Sequence, residues 1–322
     1  MSTPPQTPKP THQYFTDDNN GLHDRLAEYA RDAHGAYSPN TIRAINGDMK
    51  HFASWCNHNG VSSLPASPEI LARYVDEMTP LYASGTIRRR VSSIAHLHRA
   101  AELTDPTKPA KAKLALRRMQ RTFAARPNQA QGITEHNVSA ILATIESRLI
   151  DKRDVALLLT ARDMIARRSE VIALYVSDIT FQEDGVATVM IHKSKTDQEG
   201  EGAVMWLSPR TTDAIRQWMR AGGINEGKLF RSVGRGGRVG GGLSDRDVSR
   251  RFKVMAERAG IPSEQISGHS PRVGMTQDLS AAGAELPELM TAGRWKSPQM
   301  PARYTERTRA SRGAVAKYYD GR

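Results

Sequence analysis

The chain has 322 residues, 39% hydrophobic and 25% charged, a globular composition long enough for two domains of ordinary size. Its longest unbroken apolar runs, such as Val155 to Leu159, are too short to span a bilayer, and one cysteine, Cys56, excludes an internal disulfide or a cysteine zinc cluster. The formal net charge of +12 favours a polyanionic partner, nucleic acid ahead of an anionic membrane, and the excess is local: residues 1–81 hold 6 Lys and Arg against 9 Asp and Glu, residues 82–126 hold 11 against 2.

Residues 1–20 are polar and rich in Pro, lack the basic and apolar regions of a signal peptide, and read as a disordered tail. Leu22 to Ala33 is a short amphipathic segment. Ser38-Pro39-Asn40-Thr41 has the form of a helix start, with Ile42, Ile45, Met49, Phe52 and Trp55 following at helical spacing until Gly60. Cys56 lies on that apolar face and reads as a core residue. Ser67-Pro68-Glu69 opens a third helix through Ile70, Leu71, Tyr74, Val75 and Met78. Thr86 opens a fourth, with Ile87, Val91, Ile94 and Leu97 on one face and Arg88, Arg89 and Arg90 off it, toward solvent or a ligand. Lys111 to Phe123 is a fifth, strongly basic helix. Residues 127–132 carry Pro and Gly without apolar periodicity and read as a linker, which sets a first domain at 21–126 and a second at 133–322.

Thr134-Glu135-His136-Asn137 resembles the first helix start of the second domain. Val186 to His192 alternates as a strand and Ala203 to Leu207 as a second, with Lys193 to Gly202 as the polar turn between them. Val233 to Gly242 is a Gly/Arg segment without phosphate-loop spacing and reads as a solvated loop. The expectation is a mainly α protein, all-helical in its first half, mostly helical in its second, with one small antiparallel sheet.

The candidates for chemistry are Arg, Lys, His, Trp and Tyr; no carboxylate cluster has metal-site spacing. His269 and Arg272 are three apart in Gly-His-Ser-Pro-Arg, so at a helix start they share a face. A guanidinium there can hold phosphate oxygens and an imidazole can move a proton. Arg167 and Glu170 have the same spacing, so the carboxylate can orient the guanidinium. Lys195 sits in the turn between the two strands. Trp295 carries a neutral N–H donor, and Tyr304, nine residues on, is a usable nucleophile if positive charge stabilises its phenolate. Taken singly, each has a plainer explanation: a structural His, a solvated ion pair, an edge Lys, a core Trp, one of 9 tyrosines.

Their order is more telling than any member. Arg167, then Lys195 between strands, His269-x-x-Arg272, Trp295 and Tyr304 resemble the active site of the tyrosine site-specific recombinases, the phage integrase family. Ser267 to Gly321 carries the resemblance most clearly, in Ser-Gly-His-Ser-Pro-Arg-Val-Gly and Leu-Pro-Glu-Leu-Met-Thr-Ala-Gly-Arg-Trp. Ser38 to Cys56 resembles the family's N-terminal domain. The resemblance covers roughly residues 22–322 and is weakest from Gly200 to Gly242. Arg294 stands where close relatives have Gly, and Pro271 where they have a small residue.

The resemblance implies a helical, SAM-like core-binding domain and a catalytic domain that together clamp double-stranded DNA. It implies that Tyr304 forms a 3′-phosphotyrosine and that Arg167 and Arg272 neutralise the non-bridging oxygens. By the same resemblance Lys195 protonates the leaving 5′-oxygen, His269 manages the tyrosine proton, Trp295 donates to a non-bridging oxygen and Glu170 orients Arg167. No cofactor and no metal are implied, because bond energy is conserved. The helices near Thr41 and Thr86 would enter the major groove, with Thr41, Arg43, Thr86, Arg88, Arg89 and Arg90 as candidate contacts, and Arg246 on the other domain. Lys111, Lys113, Arg117, Arg118 and Arg121 would track phosphates. The segment from Ser311 to Tyr319 resembles a terminal helix that docks into a neighbouring protomer, which implies a homotetramer on two duplexes with inverted-repeat sites, acting in the cytoplasm and not at a membrane. The alternatives are a non-catalytic DNA-binding relative and a single-duplex enzyme of the type IB topoisomerase or telomere resolvase kind.

Overall fold

The computed structural model describes residues 20–123, 129–192 and 202–320. The chain divides into two compact units, residues 1–127 and 128–322. The expected tail, 1–20, lies outside the described residues except for its last position, where the first helix begins.

The first unit is five helices: α1 (Asn20–Asp32), α2 (Pro39–His58), α3 (Pro68–Met78), α4 (Ser84–Ala100) and α5 (Ala110–Thr122). The starts of α2 and α3 are set by the same chemistry. Ser38 Oγ accepts from the Thr41 N–H at 3.2 Å, Ser67 Oγ accepts from the Ile70 N–H at 3.3 Å, and a Pro in the first turn forfeits no helical bond. Helix α4 starts at Ser84, two residues ahead of Thr86, with no side-chain cap. One core joins Met49, Phe52, Cys56, Leu71, Tyr74, Val75, Ile87, Ile94, Ala115 and Met119. Burial of each large apolar side chain contributes roughly 1.5–3 kcal/mol. Cys56 is part of that core, and burial pushes its thiol up to about 12, so it is no nucleophile at neutral pH.

The second unit continues with α6 (Glu135–Ala143), α7 (Leu149–Asp163), α8 (Arg168–Ala173), strands β1 (Ile179–Phe181), β2 (Ala187–Ile191) and β3 (Ala203–Leu207), and α9 (Pro209–Gly222). Strands β4 (Arg231–Val233) and β5 (Val239–Gly242) follow, then α10 (Asp245–Arg258), α11 (Ser270–Ala281), α12 (Leu286–Gly293), α13 (Gln299–Tyr304), α14 (Glu306–Ala310) and α15 (Ala314–Asp320). Helix α7 is buried without interruption from Ala156 to Arg162 and packs on α9, whose Trp218 is fully buried in the same core as Phe230 and Phe252. The sheet β1-β2-β3 is antiparallel, pairing Ile191 with Ala203 and Ile179 with Val189, so Ala187, Val189, Ile191 and Leu207 face the core.

Two expectations need correction. The segment Val233 to Gly242 is not an open loop: β4 and β5 form a second, two-stranded sheet around Val233 and Val239. Its glycines hide the signal, because they provide backbone pairing with no side-chain alternation to read. The expected linker is also shorter than 127–132. Its first two residues lie outside the described ones, but the Gln131 N–H donates to Gln265 O at 3.0 Å, and next to it the Ile133 N–H donates to Ser270 O at 2.9 Å. This stretch is docked through backbone bonds, which leave no trace in apolar periodicity.

Candidate active site and nucleic-acid interface

Arg167 caps α8. Its backbone N–H donates to Glu170 Oε2 at 2.9 Å and its Nη1 to Glu170 Oε1 at 2.7 Å, so one carboxylate satisfies the helix start and fixes the guanidinium. The adjacent Arg168 turns the other way, to Ser249 Oγ at 3.2 Å and Asp245 at 3.2 Å on α10. Its aliphatic chain crosses Gly268, where a Cβ would collide with it. Burial works to raise the Glu170 pKa, but Arg294 and Arg167 prevail and hold it below the usual carboxylate value.

His269 and Arg272 stand at the start of α11. A reciprocal turn sets the entry: the Ser267 N–H donates to Ser270 Oγ at 2.9 Å and the Ser270 N–H to Ser267 O at 3.0 Å, while the His269 N–H donates to Ser267 Oγ at 3.1 Å. Pro271 occupies the first turn, where its missing N–H costs nothing. Part of His269 is open to solvent, yet the protein packed around its ring, and then the charges of Arg168, Arg272 and Arg167, lower its pKa from 6.5.

Arg272 is 2% exposed and over-determined. Its Nη1 donates to Ile165 O, its Nη2 to Gly293 O at 2.7 Å, and its guanidinium carbon lies 4.1 Å from the Trp295 ring centroid. Ile165 adopts φ 44°, a left-handed conformation that costs a β-branched residue about 1–2 kcal/mol, and the carbonyl so turned is the one Arg272 takes. Gly293 must lack a side chain because the Trp295 ring folds back over its Cα. Burial, then repulsion from Arg167, bring Arg272 down to about 10.

Tyr304 closes α13. Its ring meets Trp295 edge to face at 6.0 Å between centroids, and its carbonyl accepts from Gln277 Nε2 at 3.2 Å. Burial raises the phenol pKa, opposed by Arg272, Arg303 and Arg167. The second unit thus brings Arg167, Glu170, Arg272, Trp295 and Tyr304 together, with His269 beside the arginines. Lys195 lies outside the described residues. Sequence reasoning flagged Arg294 only as a departure and gave it no role, yet its Nη2 donates to Glu170 Oε2 at 2.6 Å. A charged residue where the family resemblance implies Gly was the available signal.

The expected DNA contacts divide by what already holds them. Thr41 Oγ1 pairs with Ser38 Oγ at 2.9 Å, and Arg43 donates within its own first turn to Pro39 O at 3.4 Å and to Asn40 Oδ1. Thr86 is half-buried and Arg88 exposed. Arg89 is bound to the buried Asp48 at 2.9 Å. Arg90 departs from expectation: it is 8% exposed and stacks 4.0 Å from the Tyr82 ring centroid. It is three residues after Ile87 and four before Ile94, so it shares the core face after all, and an aromatic ring accepts its charge there. On α5, Lys111 faces Glu69 at 3.6 Å and Arg118 faces Asp76 at 2.5 Å, whereas Lys113, Arg117 and Arg121 are exposed, with no acidic partner among the described residues. Arg246 is exposed in the first turn of α10.

Comparison with known proteins gives the family and the fold. Residues 131–310 match the phage integrase family. The chain is 30% identical over 280 residues to an integrase/recombinase XerD homolog of Selenomonas ruminantium, covering 83% of this chain and 81% of that protein. To recombinase Cre of Escherichia phage P1 it is 25% identical over 305 residues, 88% of each, a modest likeness. Among solved structures, XerH recombinase bound to palindromic difH DNA superposes with TM-score 0.62 at 14% identity, covering 90% of this chain and 86% of that one. The Tn1549 transposon integrase with transposon-end DNA superposes with TM-score 0.62 at 12% identity, covering 90% and 98%.

Proposed function

This chain belongs to the phage integrase family, the tyrosine site-specific recombinases that cleave and rejoin DNA, and from that premise we propose that Tyr304 is its nucleophile. The Tyr304 oxygen attacks the scissile phosphorus, the bond from phosphorus to the 5′-oxygen breaks, and a 3′-phosphotyrosine remains. His269, neutral at physiological pH because its pKa is lowered, takes the phenolic proton; Lys195 supplies a proton to the departing 5′-oxygen. The freed 5′-hydroxyl of one strand then attacks the phosphotyrosine of its partner. One phosphodiester is exchanged for another, so neither ATP nor a metal is required.

Arg167 and Arg272 neutralise the non-bridging oxygens as charge builds on phosphorus, Trp295 donates its indole N–H to one of them, and Glu170 keeps Arg167 in register. The observation that carries the reading is the Trp295 ring in contact with both Arg272, at 4.1 Å, and Tyr304, edge to face at 6.0 Å, with Arg272 fixed by two backbone carbonyls. It sets a rigid cation beside this tyrosine.

The DNA partner we propose is a duplex site with inverted repeats, paired with a second such site by a homotetramer through a Holliday junction. The exposed Val315, Tyr318 and Tyr319 on α15 support exchange of that terminal helix between protomers. No helix among the described residues is long and apolar enough to cross a membrane, and the proposed place of action is the cytoplasm of a bacterial host.

The test is incubation with DNA flanking the gene, in EDTA, followed by denaturing detergent. A covalent protein–DNA adduct is expected from the wild type and none from Tyr304→Phe; an adduct that persists in Tyr304→Phe overturns the assignment. Joint products from two duplexes separate a recombinase from a single-duplex topoisomerase.

A further inference from the structure

Arg294 occupies an unusual place. It terminates α12 with φ 54° and ψ 47°, the left-handed conformation that favours Gly at this helix position. A side chain is nonetheless present, and it is largely buried. Its Nη2 donates to Glu170 Oε2 at 2.6 Å, and its Nη1 lies 3.1 Å from Met164 O and 2.9 Å from the Met205 sulfur. Its own neighbours in the chain are Gly293, whose carbonyl holds Arg272, and Trp295, whose ring faces Arg272.

The charge count makes the position consequential. Glu170, with its side chain 1% exposed, binds Arg167 through Oε1 and the backbone through Oε2. A lone Glu170–Arg167 pair would cancel the charge that Arg167 can offer to a phosphate. With Arg294 on the second oxygen, one carboxylate is shared by two guanidinium groups. In low-dielectric surroundings that extra positive charge is felt at Arg167 and beyond.

We propose that Arg294 is a positioning residue for strand cleavage: it shares Glu170 so that Arg167 is held in place with its charge uncancelled, and it pins the Gly293–Trp295 segment under Arg272. This rests on the reading of Tyr304 as nucleophile. The conformation makes a clean test possible, because Gly fits the left-handed backbone and Arg294→Gly removes the guanidinium without straining the chain.

The experiment uses a duplex selected from a random-sequence pool by binding to the Tyr304→Phe chain, with a nick beside the cleavage position so that the released oligonucleotide diffuses away. Single-turnover adduct formation is measured against pH for the wild type, Arg294→Gly and Arg294→Lys, and for Arg294→Gly combined with Glu170→Gln. Arg294→Gly is expected to slow cleavage roughly ten- to hundredfold with unchanged DNA affinity. Its rate should also climb at higher pH than the wild type, because Glu170, left to Arg167 alone, cancels the positive charge with which Arg167 faces the phenol. Arg294→Lys should restore the pH profile, and Arg294→Gly should cost much less once Glu170 is Gln. A wild-type rate and profile in Arg294→Gly overturns the proposal, as does a slower rate with an unmoved profile, which would mark a merely structural cap. No adduct from the wild type overturns the nucleophile reading itself.

Discussion

The arginines near Tyr304 and those on α5 put one side chain to opposite uses. Arg272 is sealed against Trp295 and held by two carbonyls of neighbouring backbone, so its position is decided before any DNA arrives. Arg118 lies at the surface and is held by one exposed carboxylate, Asp76. The first arrangement gives up solvation to gain geometry; the second keeps solvation and holds its geometry weakly. A buried cation can distinguish a transition state from a ground state because it does not move to meet it. A surface cation chiefly contributes attraction that salt can screen.

The strongest way to break this comparison is Arg272→Lys. An ammonium keeps the charge but cannot bridge Ile165 O and Gly293 O while keeping its contact with the Trp295 ring. Single-turnover cleavage should fall by a factor on the order of 10²–10³ with DNA affinity retained. A rate within threefold of wild type would mean that charge alone matters and that the sealed geometry is incidental.

Next in size is the pH dependence. Crowding around the imidazole, then Arg168, Arg272 and Arg167, lower the His269 pKa, so the ring is neutral at pH 7 and gains a proton only below its ordinary 6.5. A protonated imidazole cannot take the Tyr304 proton. Cleavage should therefore decline on acidification below that value, and in His269→Gln the slower rate should lose that acid decline. An acid limb unchanged in His269→Gln would move the titration to another group.

Much of this was legible from residue order. Helix starts at Ser38 and Ser67 follow from local chemistry that acts within four residues, and the short apolar run from Ala203 to Leu207 can be read as a strand. The cluster around Tyr304 was legible only as a set, since each member alone is an ordinary residue. What could not be read depends on which partner the fold supplies. Arg90 faces inward because Tyr82 can receive its charge, Arg294 matters because Glu170 lies 124 residues away, and β5 exists because Val239 finds Val233 across a glycine turn. Spacing from Ile87 and Ile94 puts Arg90 on the apolar face, against the expectation that it points to solvent or a ligand, but spacing cannot say whether that face admits a guanidinium.

The smallest expected effects sit on α5, and they sharpen the comparison most directly. The logarithm of DNA affinity should fall linearly with the logarithm of salt, by about 0.9 for each phosphate neutralised. Arg117, exposed and without an acidic partner among the described residues, is available to a phosphate, so Arg117→Ala should reduce the slope by about 0.9. Arg118, held by Asp76, is not, so Arg118→Ala should leave the slope nearly unchanged, and Asp76→Asn should release the guanidinium and steepen the slope by a similar amount. Arg90→Met should leave it unchanged as well, because the side chain is spent on Tyr82 in the core. Filter-binding titrations across a salt series measure all four. If Arg117→Ala and Arg118→Ala shift the slope equally, then the ion pair to Asp76 yields to DNA without resistance, and α5 acts as a charged surface in which pairing within the protein sets nothing.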